Sequence, residues 1–175
     1  IMDKGMSNIF LINENTLKSE TILNDNVGSE FIRPAIETSQ DIYLQQLIGT
    51  ELLDKLYSII EDGTIENPEN EKYKRLVDEY ITNYLKYKVL AEITIPLAYK
   101  YRSTGIMQSN LDHSYNTGLK DATLVQNHYE ARATFYGLRL SNYLLANANY
   151  YPEYKSMRDC SDIRSNPDSY KTNIL

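Results

Sequence analysis

The 175-residue chain has no tryptophan, one cysteine and no apolar run approaching the ~20 residues needed to cross a bilayer. With Cys160 alone no intramolecular disulfide can form, and a reducing cytoplasm is the expected place of synthesis. The longest apolar stretches, 9–12 and the interrupted 89–98, predict no membrane helix. The stretch 9–12 is also too short for a secretory core, so the N-terminus is expected to be retained and non-targeting. A basic excess is missing as well: 18 Lys and Arg stand against 24 Asp and Glu, a net charge of −6. That balance opposes tight, sequence-independent binding to phosphate backbones. It suits a surface past which DNA slides, and it equally serves plain solubility.

Chemistry-bearing motifs are scarce. The two histidines, His113 in a polar loop and His128 on a helix, stand near no nucleophile motif, and Cys160 lies in a polar C-terminal stretch. Asp112-His113 and Asp159-Cys160-Ser161-Asp162 offer metal-ligand types without a second Cys or a paired His at ligand spacing. Glu66, Glu69 and Glu71 around Pro68 lack the alternation and central Gly of a calcium loop. Glu61 and Asp62 are neighbours on a helix and point apart, and there is no Gly-rich phosphate loop. Lys72, Lys74 and Arg75 are offset by Glu71, Asp78 and Glu79, which reads as a solvated helix face. The sequence therefore predicts a non-enzyme with no catalytic, cofactor or metal site.

What the chain does have is tyrosine, 16 residues against three Phe. A tyrosine carries a rigid apolar ring with a polar tip, so it serves a half-wet interface or replaces Phe in a core. Both readings are open, because several of these tyrosines sit at helical core spacing.

Periodicity predicts an all-α bundle of about four helices, residues 27–149, between an extended N-terminal arm, 1–26, and an extended C-terminal tail, 150–175. The arm carries one candidate strand at 9–12. The first helix is expected to begin near Arg33, because Pro34 is tolerated only in a first turn, and to stop at Gly49. Thr50 should cap a second helix that ends at Gly63. Asn70 and Glu71 open a third, with a stripe of Tyr73, Val77, Tyr80, Tyr84, Tyr87, Ala91 and Ile95, apolar nearly all round from Val89 and kinked at Pro96. Residues 103–118 read as a loop, or a loop bearing a small hairpin. The fourth helix, 119–147, is expected to bury Ala122, Val125, Tyr129, Ala133, Tyr136, Leu140 and Tyr143. The tail is polar until Ile174 and Leu175 and has too little apolar material to pack by itself.

The segment 30–50, with Pro34-Ala35-Ile36, then Gln40, then the Leu47-Ile48-Gly49 stop, followed by Leu52 and Leu56, resembles the opening helices of small helical head–tail connector proteins of tailed bacteriophages. It is most similar to versions from phages of gut Bacteroidetes, including the crAss-like group. The third helix ending near Ala98-Tyr99, the Gly-containing loop and the long fourth helix continue the resemblance to about residue 150.

The resemblance implies a structural virion protein, assembled in the host bacterial cytoplasm. It implies a twelve-subunit homo-oligomeric ring beneath the portal protein that extends the channel for double-stranded DNA without specific binding and presents a surface to the next tail protein. It also implies that residues 150–175 reach the portal or a neighbouring subunit, which makes Tyr150, Tyr151, Tyr154, Arg158, Arg164, Tyr170, Ile174 and Leu175 candidate partner contacts. The alternative from another class is a small helical regulatory or binding module acting on a host protein or nucleic acid.

Overall fold

The computed structural model describes residues 9–23, 25–102, 105–108 and 119–155; the candidate contacts Arg158, Arg164, Tyr170, Ile174 and Leu175, together with His113 and Cys160, lie outside these residues. The fold is an all-α bundle with one short hairpin. In chain order the elements are α1 (Glu14–Glu20), α2 (Ser29–Thr38), a π turn (Ser39–Leu44), α3 (Gln45–Ile48), α4 (Thr50–Glu61), a 3-10 turn (Pro68–Asn70), α5 (Glu71–Leu76), a second π turn (Val77–Ile81) and α6 (Thr82–Ala98). The hairpin strands β1 (Tyr99–Arg102) and β2 (Gly105–Gln108) pair antiparallel, and α7 (Leu119–Ala146) and a 3-10 turn (Pro152–Lys155) follow.

Two continuous helical rods, 29–48 and 71–98, each contain a π turn, and their sequences explain why. In the first rod the buried residues Ile32, Ile36, Gln40, Leu44 and Ile48 recur every fourth position. In the second, Tyr73, Val77, Ile81, Leu85, Val89 and Ile93 do the same. On a regular helix of ~3.6 residues per turn, a row spaced by four rotates about 40° at each step and soon leaves the core. A π turn, bonded i to i+5, holds more residues per turn and takes up the drift. Both rows thereby stay on the buried side. Of the expected stripe, Tyr73, Val77, Tyr84 and Ala91 are buried in the core, whereas Tyr80, Tyr87 and Ile95 are half-buried, and Tyr80 and Tyr87 form the seam with α7.

Gly49 and Gly63 end α3 and α4 as their positions predict, at φ of +83° and +66°, where a side chain would be strained. Gly49 also serves as N-cap of α4, so Thr50 is the first helical residue, and its hydroxyl accepts a bond from Gln45 Nε2 at 3.0 Å. The seven residues 84, 85, 88–91 and 93 of α6 are buried around its whole circumference, in accord with the all-round apolar reading. α6 packs against α7 and against α2 with its π turn. Pro96 lies inside the last turn of α6, and the helix ends two residues later at Ala98, where β1 takes over.

Several expectations are corrected. Residues 9–12 form no strand, and the described part of the expected extended arm, 9–23, packs onto the bundle. Leu11, Ile12, Leu17 and Leu23 belong to the core, with α1 capped by Asn13 Oδ1, which accepts from Thr16 N at 2.7 Å. The first long helix starts at Ser29 rather than Arg33, with Pro34 inside it. The early turn is held from outside: Glu14 accepts from Ser29 Oγ at 2.7 Å and from Arg33 Nε at 2.9 Å, while Ile32 is fully buried beneath. Val125 is exposed, not buried.

The Glu14 carboxyl is held below its ordinary range by the bond from Arg33 and then by that from Ser29. A lowered carboxylate contributes stability above its unfolded value and loses it as pH falls through the folded value. Glu14→Gln is therefore expected to melt below wild type at pH 7, with the gap closing as pH drops below the usual carboxylate range. Thermal melts of the pair from pH 7 to pH 3 check this, and a gap independent of pH would contradict it.

Candidate assembly surface

The helical core presents two kinds of surface at its ends and one along its length. At the N-terminal end the π turn buries Ser39 and Gln40, and Gln40 acts as a side-chain clamp. Its Oε1 accepts from Leu11 N at 2.7 Å, and its Nε2 donates to Ile9 O and to Tyr57 Oη, both at 3.0 Å. One amide thus pairs with the N-terminal segment as a neighbouring strand would. Tyr57 Oη lies 3.5 Å from Asp41 Oδ1, and burial, followed by the charge of Asp41, pushes its phenol above the ordinary value.

At the C-terminal end the candidate contacts divide. Tyr150 is exposed, but Tyr151 and Tyr154 are 1% and 9% exposed and belong to the core, so the first residues assigned to the tail are part of the bundle. The reason is a network of hydroxyls. Tyr151 Oη donates to Lys72 O at 2.9 Å and lies 3.1 Å from Tyr143 Oη, and its ring meets Tyr73 edge-on at 5.8 Å. Tyr73 donates to the Glu153 carboxylate at 3.0 Å, and Lys72 Nζ donates to Tyr150 O at 2.7 Å. Burial, then the Glu153 bond, pushes the Tyr73 phenol up to about 12. The chain is therefore anchored on α4 and α5 through Lys155, so the expected boundary at residue 150 falls inside the bundle.

The tyrosines settle mostly inside. Tyr80 stacks on Tyr143 with ring centroids 4.0 Å apart, and Tyr87 on Tyr136 at 5.2 Å, so α7 runs antiparallel to the 71–98 rod. Arg139 lies over the Tyr80 ring at 5.4 Å and Arg132 over Tyr87 at 5.6 Å. Among tyrosines whose side chains are described, Tyr150 is the exposed one. Among the described side chains, tyrosine is chiefly a core and seam residue.

The surface that sequence reading missed is the outer side of α7. Seven large apolar side chains are exposed among the described residues, and Leu124, Val125, Phe135 and Leu145 all lie on this helix. Between Ala122 and Ala146 its charged residues are Glu130, Arg132 and Arg139, and Glu130 is turned to Lys88 at 2.5 Å. The exposed side of that stretch therefore carries arginine and no free acid. A second, acidic surface lies elsewhere: Asp41 on the first π turn and Asp54 on α4 are exposed, and Ile42, next to Asp41 in the chain, is 49% exposed. Asp41 and Asp54 both act on the Tyr57 phenol, which places them on one patch. The signal for the α7 face was present in the sequence, in the Arg132 and Arg139 pair seven residues apart and in Leu124 and Phe135, which fall off the core stripe.

His128 is exposed and touches the Tyr129 ring edge-on at 5.5 Å. Among the described residues no group of three His, Cys, Asp or Glu side chains could hold a metal ion, and no helix is long and apolar enough to cross a membrane.

Fold and surface together define an all-α helical bundle with one exposed apolar helix face. The chain belongs to the family of unknown function DUF6712, which it matches over residues 44–164, more than half its length. That region runs from α3 through α7 and overlaps most of the stretch, from 30 to about 150, over which the chain resembles phage connectors. No curated protein and no solved structure matches the chain.

Proposed function

We propose that this chain is a structural subunit of the head-to-tail connector of a tailed bacteriophage. Copies form a ring below the portal, extend the DNA channel and join portal to tail, assembling in the host cytoplasm and remaining in the virion. The observation that carries the reading is the outer side of α7, where four large apolar side chains face solvent on a stretch whose acid is turned inward. A helix face of that kind supports protein contact better than solvation. The net charge of −6 fits a channel wall that does not hold DNA. The resemblance of 30–50 to connector helices points the same way.

Mixing the purified chain with the portal protein of the same phage tests the reading by size-exclusion chromatography with light scattering. A stable complex with many copies per portal ring is expected. A chain that elutes alone in the presence of micromolar portal would overturn the assignment.

A further inference from the structure

The α7 face needs a partner, and its chemistry matches one on the same chain. Its exposed apolar groups, Leu124 at 61% and Phe135 at 62%, are flanked by Arg132 and Arg139. The ring faces beneath those arginines are already occupied by stacking of Tyr87 on Tyr136 and of Tyr80 on Tyr143. Phe135 leaves a ring open there, but with a net charge of −6 the chain is a poor holder of a nucleic-acid strand. A partner must instead offer acids beside an apolar group. Asp41 and Asp54, with exposed Ile42 next to Asp41 in the chain, offer that combination.

The two patches cannot meet within one copy. α6 packs against both α7 and the first π turn, so the outer side of each is directed away from it. We infer that the outer side of α7 docks on the Asp41, Ile42 and Asp54 patch of a second copy of this chain. The contact joins two different patches, so each copy keeps one free and addition continues until a ring closes. Opposite charges at the rim set orientation and encounter rate, and Phe135 and Ile42 supply the dry centre. The inference rests on the proposed connector role for its setting, but its test does not need a portal.

The test is self-association of the full chain, followed by light scattering over a concentration series. Arg132→Glu with Arg139→Glu is expected to raise the midpoint concentration about tenfold or more, and Asp41→Lys with Asp54→Lys to do the same. An equimolar mixture of the two reversed chains should regain association, because each then offers a surface complementary to the other. Since both arginines cover tyrosine rings, Phe135→Ser serves as a second variant that leaves those contacts alone; it too should weaken association while melting like wild type. Wild-type chain that stays monomeric at every concentration, association untouched by the reversals and by Phe135→Ser, or a mixture that fails to recover would each overturn the contact. None of those results bears on binding to portal, which the preceding experiment decides separately.

Discussion

Glu130→Ala is expected to cost about 3 kcal/mol of stability, while Lys88→Met stays within about 1 kcal/mol of wild type. The asymmetry follows from where each charge sits. The Lys88 side chain is 7% exposed, with Glu130 at 2.5 Å, Glu92 at 3.6 Å and the Tyr43 ring centroid 3.5 Å from its Nζ. It ties α6 to α7 and to the first π turn at once. Removing Glu130 leaves that ammonium buried with a longer contact to Glu92 and the face of Tyr43, and desolvation of an underpaired charge is expensive. Removing the charge instead leaves Glu130, whose side chain is 35% exposed, free to turn toward water. Methionine fills the vacated channel with similar volume. Urea unfolding of the two variants measures the difference, and a Lys88→Met variant weaker than Glu130→Ala would contradict the account.

Gln40→Ala is expected to cost a similar amount, about 3 kcal/mol, because it strands the Leu11 N–H and the Ile9 carbonyl where they have left water. Gln40→Glu should fall between, since a carboxylate still accepts from Leu11 but cannot donate to Ile9. The consequence is local before it is global. Cleavage by a broad-specificity protease should begin within 9–23 in Gln40→Ala at concentrations that leave wild type intact. Equal cleavage of the two chains would show that Leu11, Ile12 and Leu17 hold the segment without the amide.

The bundle was legible in the sequence wherever a residue type has one physical use. Gly49 and Gly63 end helices because their φ values exclude other residues, and the long α7 shows in Tyr129, Ala133 and Leu140. The short α1 was not legible by periodicity, since Leu17 is its single buried residue; its trace was the Asn13 cap followed by Glu14. Nor was the phase of the two long rods. A strict spacing of four, as in Ile32, Ile36, Gln40, Leu44 and Ile48, looks wrong for a regular helix and is right for one containing a π turn. Gln40 was hidden by its polarity, because a buried amide is justified only by backbone partners that are far away in sequence.

The candidate surface was legible in part. Composition gave tyrosine its prominence, but Tyr151 looks inward because its partners, Lys72, Tyr73 and Tyr143, come from other helices, and Tyr154 is buried beside it in the chain. The α7 face was written as a departure from the core stripe. Leu124 and Phe135 sit where a solvated helix would carry charge, and that misplacement is the kind of signal that interfaces leave in a sequence.

Electron microscopy of the chain assembled with its portal protein tests the central claim most directly. The account predicts a ring of this chain coaxial with the portal, in which α7 of each copy faces the Asp41 and Asp54 patch of the next. Particles that show the portal without an added ring, or copies bound singly with α7 turned to solvent, would contradict it.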